Sequence, residues 1–214
     1  MPTISRVALG TSLDRLEGLL RKRLAPGADK AAVDRHIWDL FGATWTVMFT
    51  DLSGFSRNVS DFGIIHFLQT IVESQRIFTP VLEEYDGFLL KTEGDSMLVI
   101  FRHPGRALDC AFAMQQTAAD YNADRAPAEK ILLCVGLGYG QVLRIADEDV
   151  YGSEVNAASR LGEDMAEAGE VLVTEGVRKA LTGRRDLVFK RLKRSPSGAK
   201  AAYKAVPRRQ LPRS

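Results

Sequence analysis

The chain has 214 residues, 45% apolar and 26% charged, close to the average of globular proteins, which excludes a disordered or fibrous class and fits one domain with appendages. Two cysteines, Cys110 and Cys134, are too few for a disulfide framework. No apolar run approaches the roughly 18 residues that span a bilayer and no secretory pattern opens the chain, so a cytoplasmic protein without a membrane span is expected. The net charge of +2 hides an asymmetry, because residues 184–214 hold eleven Lys and Arg against Asp186 alone. That basic segment lacks the aromatic interleaving of a base-stacking platform, so no nucleic-acid partner is expected.

Leucines at helical spacing predict an amphipathic helix over residues 12–24, ended by Ala25-Pro26-Gly27. A second helix, N-capped by Asp29 and stopped at Gly42, carries Val33, Ile37, Trp38 and Leu40. The two helices form an N-terminal extension, residues 1–43, expected to pack against the domain that follows.

From Thr44 onward strands and helices alternate. A strand over 44–51 leads through a loop to a long helix near 61–84. A hairpin with strands near 86–91 and 95–101 follows, then an Ala-rich helix over 107–122 and a buried strand over 130–138. Gly136, Gly138 and Gly140 leave one face of that strand bare, which marks close approach of another backbone, helix or ligand. A ribbon near 141–151, a helix from Ser153 to about Ala168, a strand at 170–174, a short helix at 175–181 and closing strands near 186–192 and 201–206 complete the order. The β-α-β-β-α-β core defines an α+β, ferredoxin-like sheet with additional helices and strands. Helices cover one face of such a sheet, leaving the other to meet solvent, ligand or a partner. The domain spans residues 44–206, with a basic tail at 207–214.

Chemistry concentrates at strand ends. Asp51 closes the first strand ahead of the Gly-containing loop Leu52-Ser53-Gly54-Phe55-Ser56, and Asp95 sits on the hairpin turn Lys91-Thr92-Glu93-Gly94-Asp95, which is expected to expose both Lys91 and Asp95. In a β-α-β-β order the first strand and the hairpin lie side by side, so the two carboxylates can meet. Oxygen ligands without His or Cys point to Mg²⁺ or Mn²⁺. Asn156 and Arg160, four apart on one helix, pair an amide with a guanidinium, a combination suited to a ribose and a phosphate oxygen.

Taken in order, Phe49-Thr50-Asp51-Leu52-Ser53-Gly54-Phe55, Lys91-Thr92-Glu93-Gly94-Asp95 and Asp149-Val150-Tyr151-Gly152-Ser153-Glu154-Val155-Asn156-Ala157-Ala158-Ser159-Arg160-Leu161 resemble the catalytic motifs of class III nucleotidyl cyclases. The resemblance covers roughly Thr44 to Val206. It implies that Asp51 and Asp95 bind two divalent metal ions, Mg²⁺ or Mn²⁺, with the Leu52 carbonyl as a backbone ligand. Gly54, Phe55 and Ser56 would cradle the triphosphate, Lys91 and Asp149 would select the base, and Asn156 and Arg160 would stabilise the transition state. It also implies a homodimer, since in the family one site draws its metal ligands from one protomer and its base and transition-state residues from the other. A Lys near the closing strands often contacts the γ-phosphate, and Lys193, Arg194 and Lys200 are the candidates.

A Lys donor and an Asp acceptor match adenine at N1 and N6, whereas guanine reverses both, and guanylyl members resemble this chain but carry Glu and Cys at those places. The expected activity is therefore adenylate cyclase, converting ATP to 3′,5′-cyclic AMP and pyrophosphate. The competing readings are a guanylate cyclase, a catalytically weak or inactive cyclase-like module for nucleotide binding or dimerisation, and a diguanylate cyclase. The last would carry a Gly-Gly-acid-acid hairpin, and a degenerate module usually loses a metal Asp or the Arg.

Overall fold

The computed structural model describes residues 11–53 and 63–210. Two helices open it. In α1 (Ser12–Leu24), Thr11 and Asp14 form a reciprocal capping box, and Asp29 caps α2 (Lys30–Phe41) through Ala32 N–H. They are clasped by Arg23 on Asp34, and Leu16, Ile37 and Phe41 bury themselves against Ile145 of the sheet. The extension is thus packed onto the domain.

The sheet consists of β1 (Gly42–Leu52), β2 (Phe88–Glu93), β3 (Ser96–Phe101), β4 (Leu133–Ile145), β5 (Asp149–Tyr151), β6 (Val171–Thr174), β7 (Leu187–Arg191) and β8 (Ala202–Pro207). Its order is β2-β3-β1-β4-β6-β8-β7, with β5 paired to β4. The first four strands, with α3 (Ile64–Glu84) and α4 (Pro104–Asn122), make the expected ferredoxin-like core. Three stretches differ from the sequence expectation. The first hairpin strand runs on to Glu93, so Lys91 lies within β2 and the turn is Gly94-Asp95. The buried strand and the ribbon are one continuous β4, because it pairs with β1 without a break from Gly42↔Leu143 to Leu52↔Leu133. The helix after β5 is α5 (Ser153–Ser159), and it continues as a π-helical turn over Arg160–Met165.

Strand alternation sorts the two faces. Met48 and Leu52 of β1 join Val99 and Phe101, Val135 and Leu137 under α3 and α4 in the main core. Trp45, Val47 and Phe49 point the other way, with Leu98, Ile100 and Val142, and Asp51 shares their side of β1 by the same alternation. This second face is not open as the sequence implied. Within the one chain α5 covers part of it through Val155 and Ala158, and Arg102 and Arg144 stack on the buried Trp45 ring at 4.0 and 4.4 Å.

The glycine row explains how α5 lies so close. A Cβ on Gly136 would fall 2.1 Å from the Ala158 carbonyl oxygen, and one on Gly138 2.3 Å from that of Glu154. Only a bare strand face accepts a helix backbone at that distance, as the alternating glycines foretold. Gly162, on the π-helical turn, approaches the Phe49 carbonyl in the same way. Cys110 and Cys134 are free and buried, and burial pushes both thiols up to about 12.

Candidate active site

Asp51 lies one residue from the end of β1, opposite Cys134 in register. Across β3, Thr50 and Met97 are partners, and the Met97 N–H donates to Thr50 Oγ1 at 3.2 Å. That bond pins the hairpin turn beside the end of β1 and brings Asp95 to Asp51. Ser96 Oγ stands 3.5 Å from Asp51 Oδ1. Burial, the Asp95 charge and then that of Glu163 push the Asp51 carboxyl up to about 7. Burial also raises Asp95, opposed by its own N–H and that of Leu52.

Asp95 is less exposed than a turn residue was expected to be, and its Oδ2 is buried with no hydrogen-bond partner among the described residues. A buried carboxylate oxygen without a donor is costly unless a cation meets it. The donor set fits a hard divalent ion, since it is all oxygen. Among the described residues no third His, Cys, Asp or Glu completes a larger cluster, so further coordination positions fall to backbone, water or substrate oxygens. Gly54, Phe55 and Ser56 lie outside the described residues.

Lys91 and Asp149, 58 residues apart, meet with Nζ to Oδ2 at 3.1 Å. Two local features aim them. The β2–β3 register shifts between Leu89 and Lys91, a bulge of the kind that redirects a side chain, and Leu90 packs on the second-face cluster. Asp149 pairs with Ile145 at the start of β5, and its Oδ1 accepts the Val150 N–H at 2.8 Å, leaving Oδ2 for Lys91. The hydrogen bond to Asp149 holds the Lys91 ammonium above its ordinary value, against desolvation, and Glu93 at 3.4 Å adds less than either. Glu93, the last residue of β2, is itself mostly solvent-exposed.

Asn156 and Arg160 line a third region with Ser153, Ser159, Asp164, Ser197 and Gly198, an open groove of about 490 Å³. Both side chains are exposed, and among the described residues the ion pair that Arg160 makes is a long one to Asp164, 3.5 Å. Neither aspartate of the first pair, nor Lys91 or Asp149, lines this groove. The sequence reading missed three participants. Glu163, on the π-helical turn and hydrogen-bonded by Ser159 Oγ, adds its charge to the field at Asp51, and such turns recur at functional sites. Ser197 and Gly198 bring the loop between β7 and β8 against α5, where a Cβ on Gly198 would lie 3.0 Å from the Ser153 carbonyl oxygen; the Pro196-Ser197-Gly198 turn signal was visible.

With this fold and these three clusters in place, comparison with known proteins is specific. Residues 43–204 match the adenylate and guanylate cyclase catalytic domain, and the chain belongs to that family. It is 31% identical over 144 residues to the putative adenylate cyclase 3 of Rhizobium meliloti (strain 1021), a match that covers 67% of this chain but 24% of that protein. The adenylate/guanylate cyclase/hydrolase from Silicibacter pomeroyi has a similar structure, with TM-score 0.66 and 24% identity over 78% of this chain and 98% of that one. The guanylate cyclase domain of RhGC from Catenaria anguillulae, in complex with GTP, follows at TM-score 0.64 and 20% identity, covering 77% and 97%. Adenylate and guanylate cyclases therefore both stand among its relatives. Among the described residues no helix is long and apolar enough to cross a membrane.

Proposed function

We propose that this chain is an adenylate cyclase, which forms 3′,5′-cyclic AMP and pyrophosphate from ATP at sites shared between two copies of itself. The observation that carries the choice of ATP is the Lys91–Asp149 pair, a donor and an acceptor held 3.1 Å apart. Adenine offers an acceptor at N1 and an amine at N6, so inserting its edge between the two groups replaces one ionic hydrogen bond by two complementary ones. Guanine would set its N1–H against an ammonium that can only donate, leaving buried donors unpaired.

Asp51 and Asp95, with the Leu52 carbonyl, would hold the two divalent ions. Bound there, Mg²⁺ or Mn²⁺ supplies Lewis acidity that favours the ribose 3′-alkoxide and offsets charge on the departing pyrophosphate. Arg160 presents forked donors to the α-phosphate, where charge grows during displacement, and its freedom from a tight ion pair leaves those donors free for a ligand. Asn156, one turn earlier on the same face of α5, orients the ribose. Gly54, Phe55 and Ser56 cradle the triphosphate, and the loop holding Lys193, Arg194 and Lys200, which already reaches the Arg160 groove through Ser197 and Gly198, supplies the γ-phosphate contact.

The homodimer accounts for the separation of the Arg160 groove from the Asp51–Asp95 pair. A two-fold copy would bring one protomer's groove to its partner's carboxylates and build two equivalent sites. The deciding experiment incubates purified protein with ATP or GTP and Mn²⁺ or Mg²⁺ over a range of protein concentrations. Cyclic AMP formation whose specific activity rises with concentration is expected. Cyclic GMP as the main product, or no cyclic nucleotide at concentrations where dimers form, overturns the reading.

A further inference from the structure

The seven-residue α5 carries Asn156 and runs into the π-helical turn that begins at Arg160, and it lies on Gly136, Gly138 and Gly140, so β4 offers no side chains at those positions to hold it. Val155 and Ala158 join the buried cluster of Trp45, Val47 and Val142, a contact that is apolar and non-directional. The polar side chain that reaches across the glycine row is Glu154. Its Oε2 accepts the Tyr139 N–H at 3.0 Å and the Thr174 Oγ1–H at 2.7 Å. The stem runs over Gly140, where a Cβ would fall 2.9 Å from Glu154 Cγ, and Oε1 lies near Gly176.

The position of the Tyr139 N–H explains why a carboxylate is held there. In the parallel β4–β6 ladder Val135 pairs with Val171 and Leu137 with Val173, and the Val135 N–H donates to Glu170. Alternation turns the Tyr139 N–H to the same edge. There β6 has ended, since Thr174 is its last residue and α6 (Glu175–Ala180) departs. Glu154 thus fills the fork between β4 and β6, accepting a backbone donor that the ladder no longer pairs and the hydroxyl of the buried Thr174.

We propose that Glu154 is a positioning residue. Anchored in the β4–β6 fork, it fixes the placement of α5 along the glycine face and thereby sets where Asn156 and Arg160, two and six residues further on, meet the nucleotide. This rests on the reading of those two residues as transition-state groups. A slip of about 1 Å in such groups costs on the order of 10²-fold in rate, whereas base recognition by Lys91 and Asp149 is untouched.

Three variants test it. Glu154→Ala is expected to lower kcat about 10²-fold, with KM and the ATP-to-GTP preference unchanged and measured below the variant's melting temperature per folded protein. Glu154→Gln, whose amide oxygen can take both hydrogen bonds, restores kcat to within about threefold, a smaller change than loss of one hydrogen bond of about 1 kcal/mol would bring. Glu154→Asp keeps the charge but falls one methylene short, and stays impaired. Should Glu154→Ala not fold, the Gln and Asp variants decide the matter by themselves. A Glu154→Ala or Glu154→Asp enzyme with wild-type kcat, even one with a lowered melting temperature, overturns the proposal, as does a Gln variant no better than Asp. If the wild-type protein forms no cyclic nucleotide, the functional reading fails separately. Amide hydrogen exchange then tests the anchor directly: exchange over residues 155–165 must quicken in Glu154→Ala while α4 stays protected, and unchanged exchange refutes it.

Discussion

The Asp51–Asp95 pair and the Lys91–Asp149 pair are both built from strand ends of one sheet, yet they are opposite electrostatic objects. The first places like charges together and half-buries them, so that one carboxyl is pushed up to about 7 and the other leaves a buried oxygen without a partner among the described residues. The second is a satisfied ion pair at 3.1 Å. A site of the first kind is incomplete until a cation arrives. One of the second kind is complete without ligand and must open to admit one, so it contributes discrimination more than raw affinity.

The largest effects should come from the incomplete pair. Asp51→Asn is expected to reduce cyclic nucleotide formation by at least ~10³-fold, as loss of a group holding developing charge does. It should also stabilise the metal-free fold above neutral pH. The native Asp51 binds its proton up to about pH 7, while in the unfolded chain it ionises near the ordinary carboxylate value. The native state therefore holds the extra proton between those limits, and stability in EDTA falls as pH rises through that window. Melting curves from pH 4.5 to 8.5 should show this slope in the wild type, a shallower one in Asp51→Asn, and a gain on adding Mn²⁺ at pH 8 in the wild type alone. Arg160→Ala should lower kcat ~10²- to 10³-fold with an unchanged melting temperature, since the side chain is exposed and its one ion pair is long; a large loss of thermal stability would argue against a purely catalytic role.

The satisfied pair should respond with preference more than rate. Lys91→Glu combined with Asp149→Cys is expected to move the ratio of kcat/KM for GTP over ATP by about 10²-fold or more, the scale of unmatched hydrogen-bonding groups, read from competing-substrate assays. Smallest of all, Glu93→Gln removes a second, exposed acid from Lys91 and should alter KM for ATP by about twofold at low salt, and by less at 0.5 M salt where surface charge is screened. A substitution at Glu93 that rivals one at Asp149 would erase the distinction drawn between the two pairs.

Much of the domain was readable along the chain. The alternation of strands and helices gave the ferredoxin-like core, and the motif around Asn156 and Arg160 gave the family. Three bare positions at Gly136, Gly138 and Gly140 announced that a backbone would approach, although not which one. The unity of β4 escaped, because glycines interrupt its apolar pattern and its continuity comes from pairing with β1 along the full length. So did the change from α to π geometry at Arg160, where Gly162 nests against the Phe49 carbonyl, and the closing of the second sheet face by α5, Arg102 and Arg144.

By itself the amino-acid order determined the chemical inventory: two aspartates and a lysine close to strand ends, an amide and a guanidinium one helical turn apart. Those are local facts, set by residue type and short spacing. Only the tertiary structure decided that Lys91 lies against Asp149, that Asp95 loses its solvent beside Asp51, and that Glu154 reaches the β4–β6 fork. Contact, burial and shifted proton affinity all depend on groups tens of residues away in the chain, brought to the same place by strand register and helix docking.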